Sequence, residues 1–383
     1  MKILMGENLV YDAPVQVGSH HYARLFSKEH EVLWISLPWN VFLLLKYGFK
    51  GDRYVQWNKG KVIEKENLKI WCPFTFMPYR DNFLFRSQKN ISRSLKYTVP
   101  NLKKVIKKEG FQTCDILWIT DPRMMYLTKI TNYKVLVYRC VDDLSRFTGI
   151  PNNIRITEEK LVKKADIVFA TANTLKERLE GYGGKIIGLP NAVDYEYFAN
   201  YQTEGKESKI DNLKNVILYV GTIGEWFDCE FVKYCALHRP NYNFVVIGPE
   251  RTDTSSMKGI SNIHMIGTIK YEEVPLYMKR SDIGIIPFKT NELVNAVNPL
   301  KLYEYFACNL PVVSTAAYEM KKLNSPALLY TSYDEAISYF DNLLNSKEPF
   351  DYSLYARKNS WQERNKYIWE TIQGYINEKE EKQ

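Results

Sequence analysis

Long apolar runs are missing from this sequence of 383 residues. No segment reaches the ~20 apolar residues that a membrane-crossing helix needs, so no spanning helix is expected. The apolar core of a secretory signal is missing too, because Met1-Lys2 leads only into the short run Ile3 to Gly6 before polar Glu7 and Asn8. The six cysteines, Cys72, Cys114, Cys140, Cys229, Cys235 and Cys308, have no CxxC spacing, and several lie inside apolar runs. Reduced core residues of a cytoplasmic protein are expected, rather than a disulfide framework or a metal site. Aromatic residues make up 14% of the chain, yet no RNP-like strand, helix-turn-helix pattern or zinc-ligand spacing accompanies them. That argues against nucleic acid as a partner. Repeats of the solenoid kind are not detectable.

What is present is enough apolar material for two domains, at 45% hydrophobic residues, together with a net charge of +8. Lysine and arginine are conspicuous between Lys89 and Lys108, and anionic partners are the simplest account of the excess. Trp39 to Phe49 (WNVFLLLKYGF) sets apolar residues beside Lys46 and Lys50. One reading is contact with an anionic membrane surface, peripheral at the inner face of the cell membrane; the other is burial of Phe42 to Leu45 in the first domain's core.

The stretch with the densest chemistry is Asn298 to Thr315, NPLKLYEYFACNLPVVST. Asn298 is expected as an N-cap and Pro299 as the first helical residue, with Asn309 and Pro311 as the stop. Lys301 then lies in the first turn, where amide groups and the helix dipole attract an anion, and Glu304 follows on the same face. A cation for phosphate and a carboxylate for sugar hydroxyls would sit side by side; the plainer alternative is a solvated i,i+3 pair. PVVST reads as a buried parallel strand.

This pattern resembles the donor-site element of GT-B glycosyltransferases, especially the bacterial family 4-like enzymes that build teichuronic acid, capsule or exopolysaccharide. The resemblance implies that Glu304 holds the ribose hydroxyls of the nucleotide. The usual family motif carries a second glutamate eight positions earlier, and here that position is Ala296. Lys301 is expected to take over part of the work on the diphosphate. A second stretch, LPNAVDYEYF from Leu189 to Phe198, resembles the family's inter-domain segment.

In the first half, Lys2 to Gly6 reads as the opening strand, and Gly18-Ser19-His20-His21 opens a helix, Tyr22 to Lys28. The resemblance places this glycine loop on the acceptor side, so Gly18, His20 and His21 are candidates for acceptor or diphosphate contact; the histidines can equally be polar caps. Asp115 to Asp121 (DILWITD) is a strand ending in a carboxylate, where ligands of open parallel sheets gather. Asp121 is a candidate general base, as in some related inverting enzymes, and equally an N-cap for a helix at Pro122. Lys134 to Asp143 repeats the arrangement, adding Arg139 and Asp142 to the acceptor side. The adjacent Asp142 and Asp143 do not form the DxD signature of metal-dependent glycosyltransferases, and the resemblance implies metal-independent transfer.

In the second half, Gln202 to Asn215 reads as a linker and Asn215 to Val220 as the first strand of the second domain. Gly221, Thr222 and Gly224 follow at its carboxyl end, where backbone amides can approach a diphosphate. Many family members carry an arginine and a lysine just after this strand; this chain has Thr222, Glu225 and Asp228. Gly248 closes the second strand, and Thr268 with Ile269 occupies the position where the family reads the nucleobase, with Tyr271 available for stacking. Asn298, Pro299 and Leu302 join Lys301 and Glu304 in the expected donor set. Tyr352 to Asn377 reads as one long aromatic helix crossing back to the first domain.

The expectation is an α/β protein of GT-B architecture, with two Rossmann-like domains facing across a cleft. The first domain is 1–200 with a C-terminal helix at 355–378, and the second is 201–354. The expected activity is transfer of a hexose from a nucleotide-diphosphate donor, a UDP-sugar, to a glycan or lipid-linked acceptor. No cofactor and no metal are called for, since the nucleotide sugar is a substrate. The family pattern implies retention of configuration, while the absent glutamate and Asp121 leave inversion open. A sugar-nucleotide epimerase of the same architecture and a non-catalytic nucleotide-binding subunit are the alternatives.

Overall fold

The computed structural model describes residues 1–13, 16–48, 52–58, 62–147, 149–292, 294–345 and 350–381. The chain divides into two compact units, Met1–Pro190 with Asn365–Gln383, and Asn191–Arg364.

The first unit is built on an eight-stranded sheet. Its strands are β1 (Lys2–Glu7), β2 (Glu31–Ser36), β3 (Ile63–Lys65), β4 (Leu68–Trp71), β5 (Thr113–Ile119), β6 (Asn132–Cys140), β7 (Ile167–Ala170) and β8 (Ile186–Gly188). Their order across the sheet is β8-β7-β6-β5-β1-β2-β4-β3, parallel except for the last pair. Ile3, Leu4 and Met5 are all fully buried, as a central parallel strand covered on both faces requires. Helix α1 (Gly18–Phe26) follows β1. It starts at Gly18 rather than Tyr22 because the backbone N–H of Val17 is accepted by Nδ1 of His20 at 3.1 Å, which caps the helix four residues early. The apolar run at 39–49 splits: Trp39 is buried and helix α2 (Val41–Tyr47) packs Leu43 and Leu44 against it, while Leu45 stays exposed. Phe49 and Lys50 lie outside the described residues. The lysines between 89 and 108 sit on helices Gln88–Lys96 and Leu102–Lys108, whose opposite faces bury Ile91, Leu95, Leu102 and Ile106.

The second unit has a six-stranded parallel sheet made of β9 (Val216–Val220), β10 (Asn243–Ile247), β11 (Ile263–Gly267), β12 (Ile283–Ile286), β13 (Val312–Thr315) and β14 (Leu328–Tyr330). The order is β11-β10-β9-β12-β13-β14, so the strand sequence reverses between β9 and β12. Alternate residues of β9 enter opposite cores, Val216, Leu218 and Val220 on one side and Ile217 and Tyr219 on the other. Helix α3 (Leu300–Ala307) packs on the first of these through Leu302, Tyr303, Tyr305 and Phe306. Asn309, with φ of 56°, takes the left-handed conformation that stops it.

A hydroxyl fixes α3 against the sheet. The β9–β12 ladder runs only through Ile217 and Leu218. Beyond it the Tyr305 hydroxyl accepts from the Val220 N–H at 2.9 Å and donates to the Leu218 carbonyl at 3.2 Å. Gly284 of β12 makes room for it, since a Cβ there would lie 2.8 Å from the Tyr305 ring.

Two expected boundaries move. The division falls at Pro190–Asn191, not at 200, because Phe198 is buried in the core of the second unit beside α3. The C-terminal aromatic pattern is two helices, Ser353–Lys358 in the second unit and α4 (Trp361–Glu380). Asn359 and Ser360 separate them, where the Val193 N–H donates to the Asn359 carbonyl at 3.2 Å and the Trp361 N–H to the Val193 carbonyl at 3.0 Å. From Asn365 onward α4 belongs to the first unit: Trp369 meets Phe26 edge-on at 5.5 Å, and the Tyr375 hydroxyl bonds to Asp166.

Tyr305→Phe is expected to leave two buried backbone groups of β9 without their partner and to cost about 1–3 kcal/mol. Urea denaturation checks this as a lowered midpoint at unchanged m-value.

Candidate active site

The carboxyl ends of the strands in the second unit carry most of the expected donor residues. Lys301 and Glu304 form an ion pair. The pair is not a solvated surface contact, since the Glu304 side chain is 8% exposed and that of Lys301 25%. A cation in the first turn of a helix opposes the helix dipole, so this placement favours an anion nearby. Leu302, one residue on, is wholly buried core.

Asn298 does not cap α3; Pro299 holds that position and makes no side-chain cap bond. The Asn298 carboxamide instead accepts from the Asn191 N–H and from the Tyr303 hydroxyl, each at 3.1 Å. Asn191 in turn donates its side-chain amide to the Asn298 carbonyl at 2.8 Å. The two most distinctive stretches of the sequence, PNAVD and NPLKLYE, are thus bonded to each other.

The loop after β9 is tighter than a simple amide cradle. The Gly221 N–H donates to Ile247 and the Ile223 N–H to Pro249, at 2.9 and 3.0 Å. Thr222 and Gly224 keep their amides without a backbone partner among the described residues. Gly248, at φ of 144°, has its neighbour at the limit of contact: a Cβ would fall 1.9 Å from the Gly221 carbonyl oxygen. Its role is to let the two loops touch. The Arg251 N–H donates to the Ile223 carbonyl at 2.8 Å, so the backbone of the loop after β10 is tied to the loop after β9. Sequence reading missed Arg251 because it looked for the cation on the same loop. Thr268 is exposed and Ile269 partly buried against the core, while Tyr271 stacks on Tyr197 at 5.9 Å.

In the first unit the expected acceptor-side residues divide. Gly18 is the first residue of α1 and is buried. Both ring nitrogens of His20 are engaged by backbone, Nδ1 with Val17 and Nε2 with the Val10 carbonyl at 3.2 Å, and the ring lies 5.0 Å from Trp34. It is a capping and core residue. His21 is buried next to Arg24, and burial with that charge pushes its pKa down to about 3, so it is neutral near pH 7.

Asp121 is 1% exposed and caps the 3-10 turns Pro122–Lys129 by accepting from the Arg123 N–H at 2.8 Å. The Arg123 guanidinium also clasps the carboxylate, with Nε at 2.9 Å and Nη2 on the other oxygen. A base role would require Arg123 to let go. Arg139 is buried over the Tyr22 ring at 5.2 Å, and Asp142 is exposed at the end of β6. Asp143 turns away to bind Arg146 and Arg155.

Glu7, which ends β1 and is 2% exposed, was overlooked. It accepts from the Thr120 hydroxyl, and its Oε1 has no partner among the described residues. Burial raises its pKa to about 7 against the lowering influence of Thr120, Ser19 and Arg139. The signal was available, because a carboxylate closing a buried strand is the feature that singled out Asp121.

Two sheets of mainly parallel strands in two Rossmann-like units make a GT-B fold, and residues 200–351 of the chain match the family profile described as Glycosyl transferases group 1. Among individual proteins, it is 27% identical over 242 residues to TuaH of Bacillus subtilis (strain 168), assigned as a glycosyltransferase of teichuronic acid biosynthesis. That match covers 58% of this chain and 61% of TuaH. The fold is similar to that of sucrose-phosphate synthase from Thermosynechococcus elongatus, at TM-score 0.67, 12% identity and coverage of 98% of this chain and 99% of that one. HepE of Anabaena, solved in complex with UDP, gives TM-score 0.64 at 12% identity, covering 98% and 100%. Among the described residues no helix is long and apolar enough to cross a membrane.

Glu7 predicts a pH dependence. Its folded pKa of about 7 lies above the ordinary 4.5, so the folded protein keeps a proton there that the unfolded chain has released. Stability attributable to this group is present below pH 4.5 and is lost as the pH rises toward 7, by up to roughly 3 kcal/mol. Glu7→Gln is expected to be more stable than the parent at pH 8, with the gap closing at pH 5, in parallel urea titrations.

Proposed function

We propose that the chain is a glycosyltransferase that moves a hexose from a uridine diphosphate sugar to a glycan or lipid-linked glycan acceptor in the synthesis of a cell-surface polysaccharide. The observation that carries this reading is the partly buried Lys301–Glu304 pair at the start of α3, inside the segment that matches the group 1 profile. TuaH supports the polysaccharide setting, and HepE with UDP supports the donor class.

In this reading Glu304 binds the ribose hydroxyls, and Lys301 with the first amides of α3 takes the diphosphate. The amides of Thr222 and Gly224 add neutral donors, and Arg251 supplies the cation that the loop after β9 does not carry. Charge grows on the diphosphate as the glycosidic bond breaks, so fixed donors aimed there accelerate departure more than they strengthen substrate binding. Protein cations do this work without a metal ion. Retention of configuration is the preferred course, since Asp121 is committed to Arg123 and is poorly placed as a base. Attachment at the membrane's inner face follows from a lipid-linked acceptor.

Lys301→Ala is expected to lower transfer from UDP-glucose by about a hundredfold or more, assayed well below its unfolding midpoint because the Glu304 carboxylate loses its partner. Measured with a labelled donor, activity equal to the parent's would remove Lys301 from the mechanism. Conversion of the labelled donor to another sugar nucleotide in the absence of any acceptor would replace transfer by epimerisation.

A further inference from the structure

The first unit contains a cavity of about 220 Å³ that the donor chemistry leaves unused. This is smaller than the ~300–1,000 Å³ typical of a site enclosing a whole drug-sized ligand, and suits a head group rather than a sugar nucleotide. Three guanidinium groups line it, those of Arg53, Arg80 and Arg123, together with the polar side chains of Asn40, Thr75 and Tyr79. Among the described residues no acidic side chain is part of the wall.

The three arginines are held in different ways. Arg53 donates to the carbonyls of Leu37 and Asn8, which orient the guanidinium. Arg123 is compensated by Asp121. Arg80 is supported only by the face of the Phe42 ring, 5.2 Å away, and pairs with no carboxylate among the described residues. Planar forks fixed in this way match the oxygens of a phosphate.

The segments that build the cavity also carry exposed apolar side chains. Leu45 on α2 is 77% exposed, Phe76 64%, Phe83 84% and Leu84 69%. Phe42, under Arg80, also meets Phe85 at 5.4 Å. A cationic cavity beside apolar side chains left in water fits an amphiphile better than a free anion.

We propose that this cavity seats the phosphate or diphosphate of a lipid-linked acceptor, with Arg80 as the main contact and the lipid laid over Leu45, Phe76, Phe83 and Leu84. The inference rests on the transferase reading for its place in the reaction, since it names the acceptor as a lipid phosphate. Its test is a binding measurement independent of catalysis. Farnesyl diphosphate, farnesol and inorganic diphosphate are titrated into the full chain and into Arg80→Gln and Arg80→Lys variants, with UDP titrated separately.

Farnesyl diphosphate is expected to bind the parent at least about tenfold more tightly than either farnesol or inorganic diphosphate. Arg80→Gln should weaken it about tenfold, and Arg80→Lys should restore part of the loss. UDP affinity should not change in either variant, which separates a local effect from misfolding. Farnesyl diphosphate binding unaffected by Arg80→Gln overturns the site. Inorganic diphosphate bound as tightly as farnesyl diphosphate, in an Arg80-dependent way, overturns the lipid and leaves a free phosphate as the ligand. Failure of UDP to bind at all would instead count against the transferase reading.

Discussion

The second unit depends on where the Tyr305 hydroxyl goes. Parallel strands β9 and β12 separate after two ladder residues, exposing backbone groups on β9 that water could not satisfy in a buried position. Tyr305 answers both of them with a single oxygen, and Gly284 is small enough to let its ring through. A side chain of α3 therefore completes the sheet, and the helix start that carries Lys301 and Glu304 is set by a hydrogen bond at the sheet centre. Apolar packing alone would allow α3 to slide along the sheet face; a directional bond to two named backbone groups fixes its height and rotation.

The same logic of mutual support runs through the neighbouring loops. Asn298 and Asn191 trade hydrogen bonds that tie the entry to α3 to the first residues of the unit. Gly221 and Gly248 approach until no side chain fits between them. Arg251 comes in on the second of these loops. Loops assembled this way are held in place by bonds among themselves.

Much of the fold was legible because buried parallel strands announce themselves as short β-branched runs. Lys2 to Gly6, Asn215 to Val220 and the strand in PVVST were each placed to within a residue, and Asn309 was correctly read as a stop. What eluded the sequence was the use made of polar side chains. Asn298 looked like a cap, and its amide went to Asn191, 107 positions away. His20 was open to reading as a ligand or as a polar cap, and it is a cap with its ring in the core. Glu7 was passed over although it closes a buried strand as Asp121 does, whereas Arg251 lies on a loop that only the fold brings to the one after β9. The long C-terminal pattern hid a break at Asn359, since the residue that interrupts it, Val193, lies in a distant segment. Local grammar sets the elements; the partner of a buried polar group is a property of the whole unit.

The return of α4 to the first unit has a consequence for biosynthesis. Ile368 and Ile372 are buried, and Trp369 packs on Phe26, so residues 1–190 lack part of their core until the final helix exists. At about 5–20 residues per second, synthesis of the intervening unit takes on the order of ten seconds or more. During that time the second unit can close around a complete core, whereas the first waits with α1 partly uncovered. The part of the chain made first is thus finished last, and the nascent protein carries an apolar surface through translation that chaperones or the final helix must cover.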